Sequence, residues 1–361
     1  MGHRLIQFTL SVLLWTIFAG CYGSVQLNDD VEFDHYNKPI SLNHPTLQWN
    51  QKTKDPIQDL ITVNDSLALV WTHRGSVMIL NLNNGKKQGS VWTPSMGHIT
   101  GMTVSNDGQR FAYVSMKNRM VGAYDIRRGK QIWNNHVDNL IENEPLLLSD
   151  TLVAIGTRSG IKLFNLYNGE IINEKKNRFG VIKLFSANSG KFLAVTDDGH
   201  LQCYDHRLSK MWNQALDLNF NLNLKVDQDR IFVGPGRDSL WVLDAETGNI
   251  HQGIHFMNGF EFQAQDNDLF LIFRNGHLIR MALNGEISWT SDFNLGLPSE
   301  SFFQTDGNLI IPFAKGVAIN VDADTGTEIW RSDTLRRLAG FWQSGSGFLM
   351  QDVKYKIQYY K

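Results

Sequence analysis

The stretch Val321-Asp322-Ala323-Asp324-Thr325-Gly326-Thr327-Glu328-Ile329-Trp330 decides the fold of this chain. An alternating apolar run ends in Asp, a short turn with Gly follows, and a second run carries a Trp, which is typical of a β-hairpin. The pattern recurs, with turn glycines at 85, 129, 169, 248, 285 and 326 and tryptophans at 49, 92, 133, 212, 289 and 330. This recurrence indicates a repeat protein.

The repeat has a period of about 40 residues, which is typical of propeller blades. Two units depart from the residue pattern. The unit with Gly169 lacks the Trp expected near residue 173, and the unit with Tyr204-Asp205 lacks the Gly. A further Trp is missing near residue 251. Each unit holds a second hairpin before the Asp, such as the one around Asp197-Asp198-Gly199, so it has four strands, A to D. Four strands in 40 residues predict a β-propeller blade.

The strand count predicts eight blades, the last of which is closed by the first strand of the chain. Three predicted strands, at 338–344, 348–353 and 355–360, lack a fourth, and Thr46-Leu47-Gln48-Trp49-Asn50 is a lone D-type strand. Pairing these elements leaves no open sheet edge. The predicted fold class is therefore all-β, an eight-bladed β-propeller of four-stranded blades over residues 46–361.

The composition fits a globular chain and excludes some partners. Hydrophobic residues are 42% of the chain, charged residues are 19%, and the net charge is −2. A nucleic-acid-binding protein is expected to be strongly basic, so nucleic acid is excluded as a partner. The two cysteines, Cys21 and Cys203, provide no disulfide framework.

Residues 1–20 are predicted to be a lipoprotein signal peptide. A basic start, Met1 to Arg4, precedes an apolar segment too short to span a membrane, and Ala19-Gly20-Cys21 follows. These residues resemble a lipobox, whose Cys becomes the acylated first residue, carrying fatty acids such as palmitate. A plain signal peptide cleaved nearby is the alternative. Tyr22 is not the Asp that retains lipoproteins at the inner membrane, so the outer membrane is favoured, and the polar residues 21–45 are predicted to be a flexible tether.

The repeat from Asp322 to Trp330 resembles that of PQQ-type propellers, and no Trp-Asp dipeptide supports a WD40 propeller. Together with the lipobox, the tether and the strand count, it resembles the family of the outer-membrane protein assembly factor BamB along the whole chain. The resemblance implies a non-enzymatic scaffold lipoprotein on the periplasmic face of the outer membrane. Such a protein binds the POTRA domains of the barrel-assembly insertase and other subunits of the assembly complex.

The resemblance also implies a contact loop between strand D of one blade and strand A of the next. The Leu-x-Leu-Arg stretch of the family corresponds to Leu216-Asp217-Leu218-Asn219 here, so only Leu216 and Leu218 are candidate contacts. Ordinary packing of the two leucines is the alternative. The acidic pair that the family has one blade later finds no match around residues 257–259.

Basic residues in the B–C turns form a second candidate partner-binding surface. In a propeller these turns open on one side, and seven of the eight contain a base, among them Arg74, Arg158, Arg237 and Arg274. A positive rim would steer an acidic partner or orient the disc toward anionic lipid. The alternative is ordinary solvated turns.

We find no motif for catalysis, a cofactor or a metal. His200, Cys203 and His206 have suggestive spacing, but His200 and Cys203 point to opposite faces of a strand. Two rival functions stay open at this stage. One is a periplasmic PQQ-type propeller scaffold unrelated to barrel assembly, and the other is a quinoprotein dehydrogenase, although such enzymes are much longer.

Overall fold

The computed structural model describes residues 42, 44–91, 99–140, 143–187, 190–216, 218, 222–227, 229–234, 239–256, 259–265, 267–299, 302–305 and 307–361. Within these ranges the regular elements are thirty-two β-strands. In this part of the chain no helix is long and apolar enough to cross a membrane.

The strands form eight antiparallel sheets of four, which confirms the predicted eight-bladed propeller. Blades 1 to 4 are β2 (Ile57–Asn64), β3 (Leu67–Thr72), β4 (Val77–Asn81), β5 (Lys87–Val91); β6 (Gly101–Val104), β7 (Arg110–Ser115), β8 (Met120–Asp125), β9 (Lys130–His136); β10 (Leu146–Ser149), β11 (Leu152–Thr157), β12 (Gly160–Asn165), β13 (Ile171–Lys176); and β14 (Val181–Ser186), β15 (Lys191–Thr196), β16 (His200–Asp205), β17 (Lys210–Ala215). Blades 5 to 8 are β18 (Asn223–Asp227), β19 (Arg230–Gly234), β20 (Ser239–Asp244), β21 (Ile250–His255); β22 (Gly259–Gln265), β23 (Asp268–Phe273), β24 (His277–Ala282), β25 (Ile287–Asp292); β26 (Phe303–Gln304), β27 (Asn308–Phe313), β28 (Val317–Asp322), β29 (Glu328–Arg331); and β30 (Leu338–Ser344), β31 (Gly347–Asp352), β32 (Lys356–Tyr360) with β1 (Leu47–Lys52).

The hydrophobic core lies in layers between neighbouring blades. Strand β3 is buried at all six positions, because both of its faces pack against other blades. Leu69 and Trp71 of β3 belong to one cluster with Phe111 and Tyr113 of the next blade. The A strands of adjacent blades contact each other, as β2 and β30 do, so they surround the axis and the D strands form the perimeter.

The first strand closes the ring, as the sequence predicts. Strand β1 pairs antiparallel with β32, with Leu47 opposite Tyr360 and Trp49 opposite Tyr359. The backbones of Thr46 and Lys361 exchange two hydrogen bonds, with N···O distances of 2.8 and 3.1 Å. The ring therefore has no unpaired strand between its first and last blades.

The Asp-x-x-Thr-Gly motif builds the turn between strands C and D. The Asp322 carboxylate accepts hydrogen bonds from the Thr325 amide at 2.8 Å and from the Thr325 hydroxyl at 2.9 Å. These bonds hold the pKa of Asp322 below its usual range. Gly326 has a φ of +72°, a left-handed conformation that favours glycine.

Each repeat Trp that the structure describes, except the last, joins two blades by packing on the turn glycine of the next blade. The Trp133 indole donates to the carbonyl of Leu166 at 2.7 Å. A Cβ on Gly169 would lie 2.6 Å from that indole, so the position has no room for a side chain. The same arrangement joins Trp49 to Gly85, Trp212 to Gly248, and Trp289 to Gly326.

Where the Trp is missing, a smaller amide side chain donates the hydrogen bond instead. Asn173 Nδ2 donates to the Arg207 carbonyl at 2.8 Å, and Gln252 Nε2 donates to the Leu283 carbonyl. Trp330 packs edge-on against Tyr360 of blade 8. Trp92, the repeat Trp of blade 1, lies outside the described residues.

A β-bulge recurs in the outermost strand of every blade. The ladder between strands C and D shifts register by one residue in all eight blades. The bulged residue directly precedes the repeat Trp in β1, β9, β17, β25 and β29. Bulges twist an edge and make it a poor template for another strand, so the perimeter is protected from edge-to-edge association.

The segment before β1 packs against the ring earlier than the tether boundary at residue 45 implies. Leu42 is buried in a cluster with Leu335, Leu338 and Phe341, between blades 7 and 8. Its carbonyl accepts a hydrogen bond from the buried Asn320 side chain. The predicted leader, Cys21 and most of the predicted tether lie outside the described residues.

Candidate functional site

The turns of the propeller divide between two faces. Because consecutive strands run in opposite directions, the B–C turns and the D–A loops lie together on one face, which we call the B–C face. The A–B and C–D turns lie on the other, the A–B face. Hydrogen bonds on the B–C face join neighbouring segments, since Asp197 N donates to Gly180 O at 2.9 Å and Leu216 N donates to Gly199 O at 3.2 Å.

The two faces carry opposite charge in their described turns and loops. The B–C face has eleven bases against six acids: Lys54, Arg74, Lys117, Arg119, Arg158, Arg178, Arg274, Lys315, Arg336, Arg337 and Lys354 against Asp55, Asp138, Glu144, Asp197, Asp198 and Asp333. The A–B face has four bases against eight acids: Lys86, Arg127, Arg128 and Arg207 against Asp65, Asp107, Asp150, Glu170, Asp229, Glu246, Glu286 and Asp324. The disc is therefore electrically polar along its axis.

Charge is also uneven around the B–C face. Over blades 2 to 4 the described turns and loops have four bases and four acids, and we call these three blades the balanced sector. From blade 6 through blades 7 and 8 to blade 1 they have seven bases and two acids, and we call this half the basic sector. Among the described residues, the positive rim that the sequence suggests is thus concentrated over blades 6, 7, 8 and 1.

The predicted arginines fall in different parts of this face. Arg74 and Arg274 are exposed in the basic sector, and Arg158 is exposed in the balanced sector. Arg74 forms an ion pair with Asp55 at 3.0 Å, which neutralises part of its charge. Arg237 lies outside the described residues, so its role stays a prediction.

Three lysines that the sequence did not single out as a group meet in the basic sector. Lys52 at the end of β1, Lys54 in the following loop and Lys354 in the last B–C turn line a shallow depression of about 660 Å³, together with Thr53, Val353 and Tyr355. None of the three ammonium groups has a carboxylate within ion-pair distance in the described part of the chain. The sequence alone does not show this cluster, because residues 52–54 come beside residue 354 only when the ring closes.

Leu216 and Leu218 lie in the core. They are 7% and 8% exposed and belong to a cluster with Trp212, Leu222 and Ile231. Both backbone amides donate to the Gly199 carbonyl at 3.2 Å, which draws the loop against blade 4. Their burial favours packing, the alternative that the sequence left open for these side chains.

An exposed aromatic side chain lies near that loop in the balanced sector. Phe179 is 38% exposed, and the Arg178 guanidinium lies 5.2 Å from its ring centroid. Their loop contacts the B–C turn of blade 4 through Gly180, and that turn contacts the loop of Leu216 and Leu218 through Gly199. Aromatic side chains, Phe included, and Arg are enriched in protein–protein interfaces relative to the rest of the surface.

The residues suggested as a metal cluster do not come together. His200 Nδ1 is 2.9 Å from the Asn213 amide nitrogen, whereas Cys203 is buried in the core. Burial raises the pKa of the Cys203 thiol to about 11, so it is not an activated nucleophile. The described residues contain no group of three His, Cys, Asp or Glu placed to hold a metal ion.

A cavity of about 420 Å³ on the axis is lined by side chains from five blades, including Lys225, Gln263 and Trp342. Burial lowers the pKa of Lys225, and nearby Glu261 opposes that shift. The Gln263 side chain donates to the Phe302 carbonyl at 2.5 Å. These contacts join the A strands around the axis and leave Lys225 with an acidic neighbour.

Comparison with known proteins agrees with this architecture. The family model described as outer membrane protein assembly factor BamB matches residues 40–175. The crystal structure of BamB from Moraxella catarrhalis superposes with a TM-score of 0.70, covering 88% of this chain and 99% of that chain at 15% identity. This chain is a BamB-like propeller of PQQ-type repeats. The resemblance in fold and in repeat type that the sequence indicates is confirmed.

The BamB-like ring is also similar to propellers of other origins. A computationally designed protein, Ika8, has a TM-score of 0.70 at 12% identity, covering 86% of this chain and 97% of its own. The C-terminal WD40 domain of Sif2 has a TM-score of 0.65 at 9% identity, covering 88% and 98%. Comparison with curated protein sequences gave no match. Similarities at such low identity show the propeller fold alone.

Proposed function

We propose that this chain is a non-enzymatic scaffold lipoprotein of the outer-membrane β-barrel assembly machinery. It binds the periplasmic POTRA domains of the insertase and is attached to the outer membrane through acylated Cys21. The observation that carries the proposal is the match of a BamB family model to residues 40–175 within a ring that the first strand closes. A rigid disc of this kind acts by holding partner domains in place.

The balanced sector is the contact surface for the protein partner in this proposal. The resemblance points to the loop after Trp212, and backbone hydrogen bonds link that loop through Gly199 and Gly180 to the loop of Phe179. Because Leu216 and Leu218 are buried, their role is to hold the loop in shape. Phe179 and Arg178 provide the exposed aromatic and cationic groups.

Affinity purification of the chain with an intact Cys21 from a bacterial host tests the assembly role. We expect the insertase and its accessory subunits among the recovered proteins. Recovery of other envelope proteins without the insertase would favour a propeller scaffold unrelated to barrel assembly. A Cys21→Ser variant that still partitions with the outer membrane after a salt wash would contradict the lipid anchor.

Substitution of the exposed pair tests the contact surface. The double variant Arg178→Gln, Phe179→Ala is expected to lower recovery of the insertase at least about tenfold, because truncating a central aromatic anchor typically costs that much affinity. Tyr167→Ala is the matched control, since Tyr167 is similarly exposed but lies on the A–B face. Equal recovery with both variants would place the contact elsewhere.

A further inference from the structure

We propose that the basic sector binds the phosphate headgroups of an anionic lipid bilayer, with the depression of Lys52, Lys54 and Lys354 at its centre. This goes beyond the assembly role and uses the half of the B–C face opposite Phe179. Four observations support it: the spread of the charges, the Tyr that lines the depression, the apolar side chains at the rim, and the place where the tether reaches the ring.

The charge of the basic sector suits a phosphate-rich surface. Lys52, Lys54 and Lys354 are exposed and have no carboxylate partner among the described residues. The exposed Arg336 and Arg337 precede blade 8 and extend the positive surface beside the depression. Basic residues next to anionic lipid each contribute favourably to binding, and the effect falls off within a Debye length.

Tyr355 occupies a backbone position that suits glycine. Its φ is +66°, whereas Gly75, Gly276 and Gly316 have positive φ in the corresponding turns of blades 1, 6 and 7. A non-glycine residue in this conformation costs roughly 1 kcal/mol. Tyr is favoured where a surface meets lipid headgroups, because its ring is apolar and its hydroxyl is polar. Arg119 has φ +52° in the corresponding turn of blade 2, so a side chain is accommodated there, and in this depression the Tyr355 ring adds an apolar surface beside the lysines.

Apolar side chains project from the same sector. Val353, beside Lys354, is 46% exposed, and Leu297 in the loop between blades 6 and 7 is 48% exposed. The Ala314 amide donates to the Leu297 carbonyl at 3.0 Å, which places Leu297 next to the turn of Lys315. An apolar side chain beside a base is the pairing that peripheral membrane surfaces use.

The distribution of these groups favours a plane over a compact protein domain. The seven bases extend over four adjacent blades, and all lie at turns on one side of a disc. A standard protein interface covers only about 800 Å² per partner and concentrates its binding energy in a few central residues. A bilayer contacts every turn of the sector at once.

The tether reaches the ring between two blades of this sector. Leu42 is fixed between blades 7 and 8 by the Asn320 side chain and by apolar packing. The residues from Cys21 to Leu42 can extend at most about 75 Å, so an acyl group on Cys21 would keep the sector near the bilayer. One lipid anchor combined with a polybasic patch binds a membrane more stably than either signal alone.

Sedimentation with lipid vesicles tests the proposal without the anchor. The chain from Tyr22 onward contains every strand of the ring and carries no acyl group once Cys21 is removed. We expect it to sediment with phosphatidylcholine vesicles containing roughly one third phosphatidylglycerol and not with pure phosphatidylcholine. Salt at about 0.5 M should release it, because the Debye length shrinks.

A triple variant locates the binding surface. Lys52→Gln, Lys54→Gln and Lys354→Gln together should weaken vesicle binding by about a hundredfold, since each Lys contributes roughly a factor of five. Lys86→Gln, Lys130→Gln and Lys210→Gln remove the same charge from the C–D ends of the strands and should change binding by less than about twofold. Equal losses in both triple variants, or equal binding to both kinds of vesicle, would overturn the proposal.

Tyr355→Gly separates a membrane role from a structural one. Removing the strained side chain should leave the melting temperature unchanged or raise it, while vesicle binding falls. A variant that binds vesicles as the parent does would remove Tyr355 from the site. Two further results would contradict the proposal. If millimolar inorganic phosphate displaces the protein from vesicles, the depression is a site for free phosphate. If the triple variant loses the insertase but binds vesicles normally, the sector is a protein contact.

Discussion

Two neighbouring joints between blades are both held by a side-chain to backbone hydrogen bond, but the sizes of their facing residues are reversed. Between blades 2 and 3, Trp133 donates to the Leu166 carbonyl and packs on Gly169. Between blades 3 and 4, Asn173 donates to the Arg207 carbonyl, and no glycine occurs in the next turn. Leu208 has φ +62° there, is buried and packs with Leu163 of blade 3. A large residue facing glycine is thus replaced by a small residue facing leucine.

The joint between blades 5 and 6 lacks this compensation. Gln252 donates to the Leu283 carbonyl, but Gly285 in the facing turn has no neighbour within 4 Å of where a Cβ would lie. The three joints therefore differ in the side chains that pack on the facing turn, although each has the same type of side-chain to backbone hydrogen bond. We expect stability to follow the burial and not the hydrogen bond, since burying a large side chain contributes more than a net hydrogen bond does.

Removing the closing strand should have the largest effect, because it removes a whole joint. Deletion of residues 46–52 takes away Trp49 and its packing on Gly85, and it exposes the edge of β32. We expect a loss of several kcal/mol in the free energy of unfolding. Urea denaturation followed by Trp fluorescence measures it, with Gln48→Ala at the exposed bulge as the control. An unchanged midpoint after the deletion would mean that the ring does not depend on closure.

Truncating the two compared joints should separate them clearly. Trp133→Ala is expected to cost about 3–5 kcal/mol, because it leaves a cavity above Gly169. Asn173→Ala should cost only about 1 kcal/mol, the usual net value of one hydrogen bond. Denaturant midpoints at constant slope give both values. Similar losses in the two variants would show that the hydrogen bond, and not the indole, holds a joint together.

Exchanging the residues of the compensated joint tests whether they act as a pair. Leu208→Gly alone should lose about 2 kcal/mol, because lost burial exceeds the relief of its left-handed backbone. Asn173→Trp alone should also destabilise the protein by about 1–3 kcal/mol through crowding. In the double variant we expect a favourable coupling of at least about 1 kcal/mol. Simple additivity of the two losses would disprove compensation.

Acidification should destabilise turns that begin with Asp more than turns that begin with Asn, and this effect on stability is the smallest of those predicted. Hydrogen bonds from Thr325 hold the pKa of Asp322 below its usual range. A depressed carboxyl pKa stabilises the fold above the unfolded pKa of about 4, and this contribution is lost as the pH falls through the folded pKa. Asp322→Asn should reduce the fall in melting temperature between about pH 5 and pH 3. Asn165 begins the corresponding turn of blade 3, so Asn fits the geometry.

The sequence was sufficient for the fold, because the repeat period and the lone Trp49 strand are local signals that can be counted. It also marked the missing Trp near residue 173 and the missing Gly after Asp205. What it could not show is that these departures belong to one joint, since the two residues lie far apart in the chain and meet only when blades pack. The lysine depression could not be predicted from the sequence for the same reason, because Lys54 and Lys354 lie at opposite ends of the chain.

Ring closure by the first strand has a consequence for how the chain folds. Thr46 and Lys361 are 315 positions apart, so β1 has no partner until β32 has been synthesised. Contacts of such long range form slowly, because the entropy of closing the loop must first be overcome. During that interval β1 of one molecule can pair with β32 of another, which gives a domain-swapped dimer. Refolding at high protein concentration should therefore produce exchanged dimers, whereas dilute refolding should produce the closed monomer.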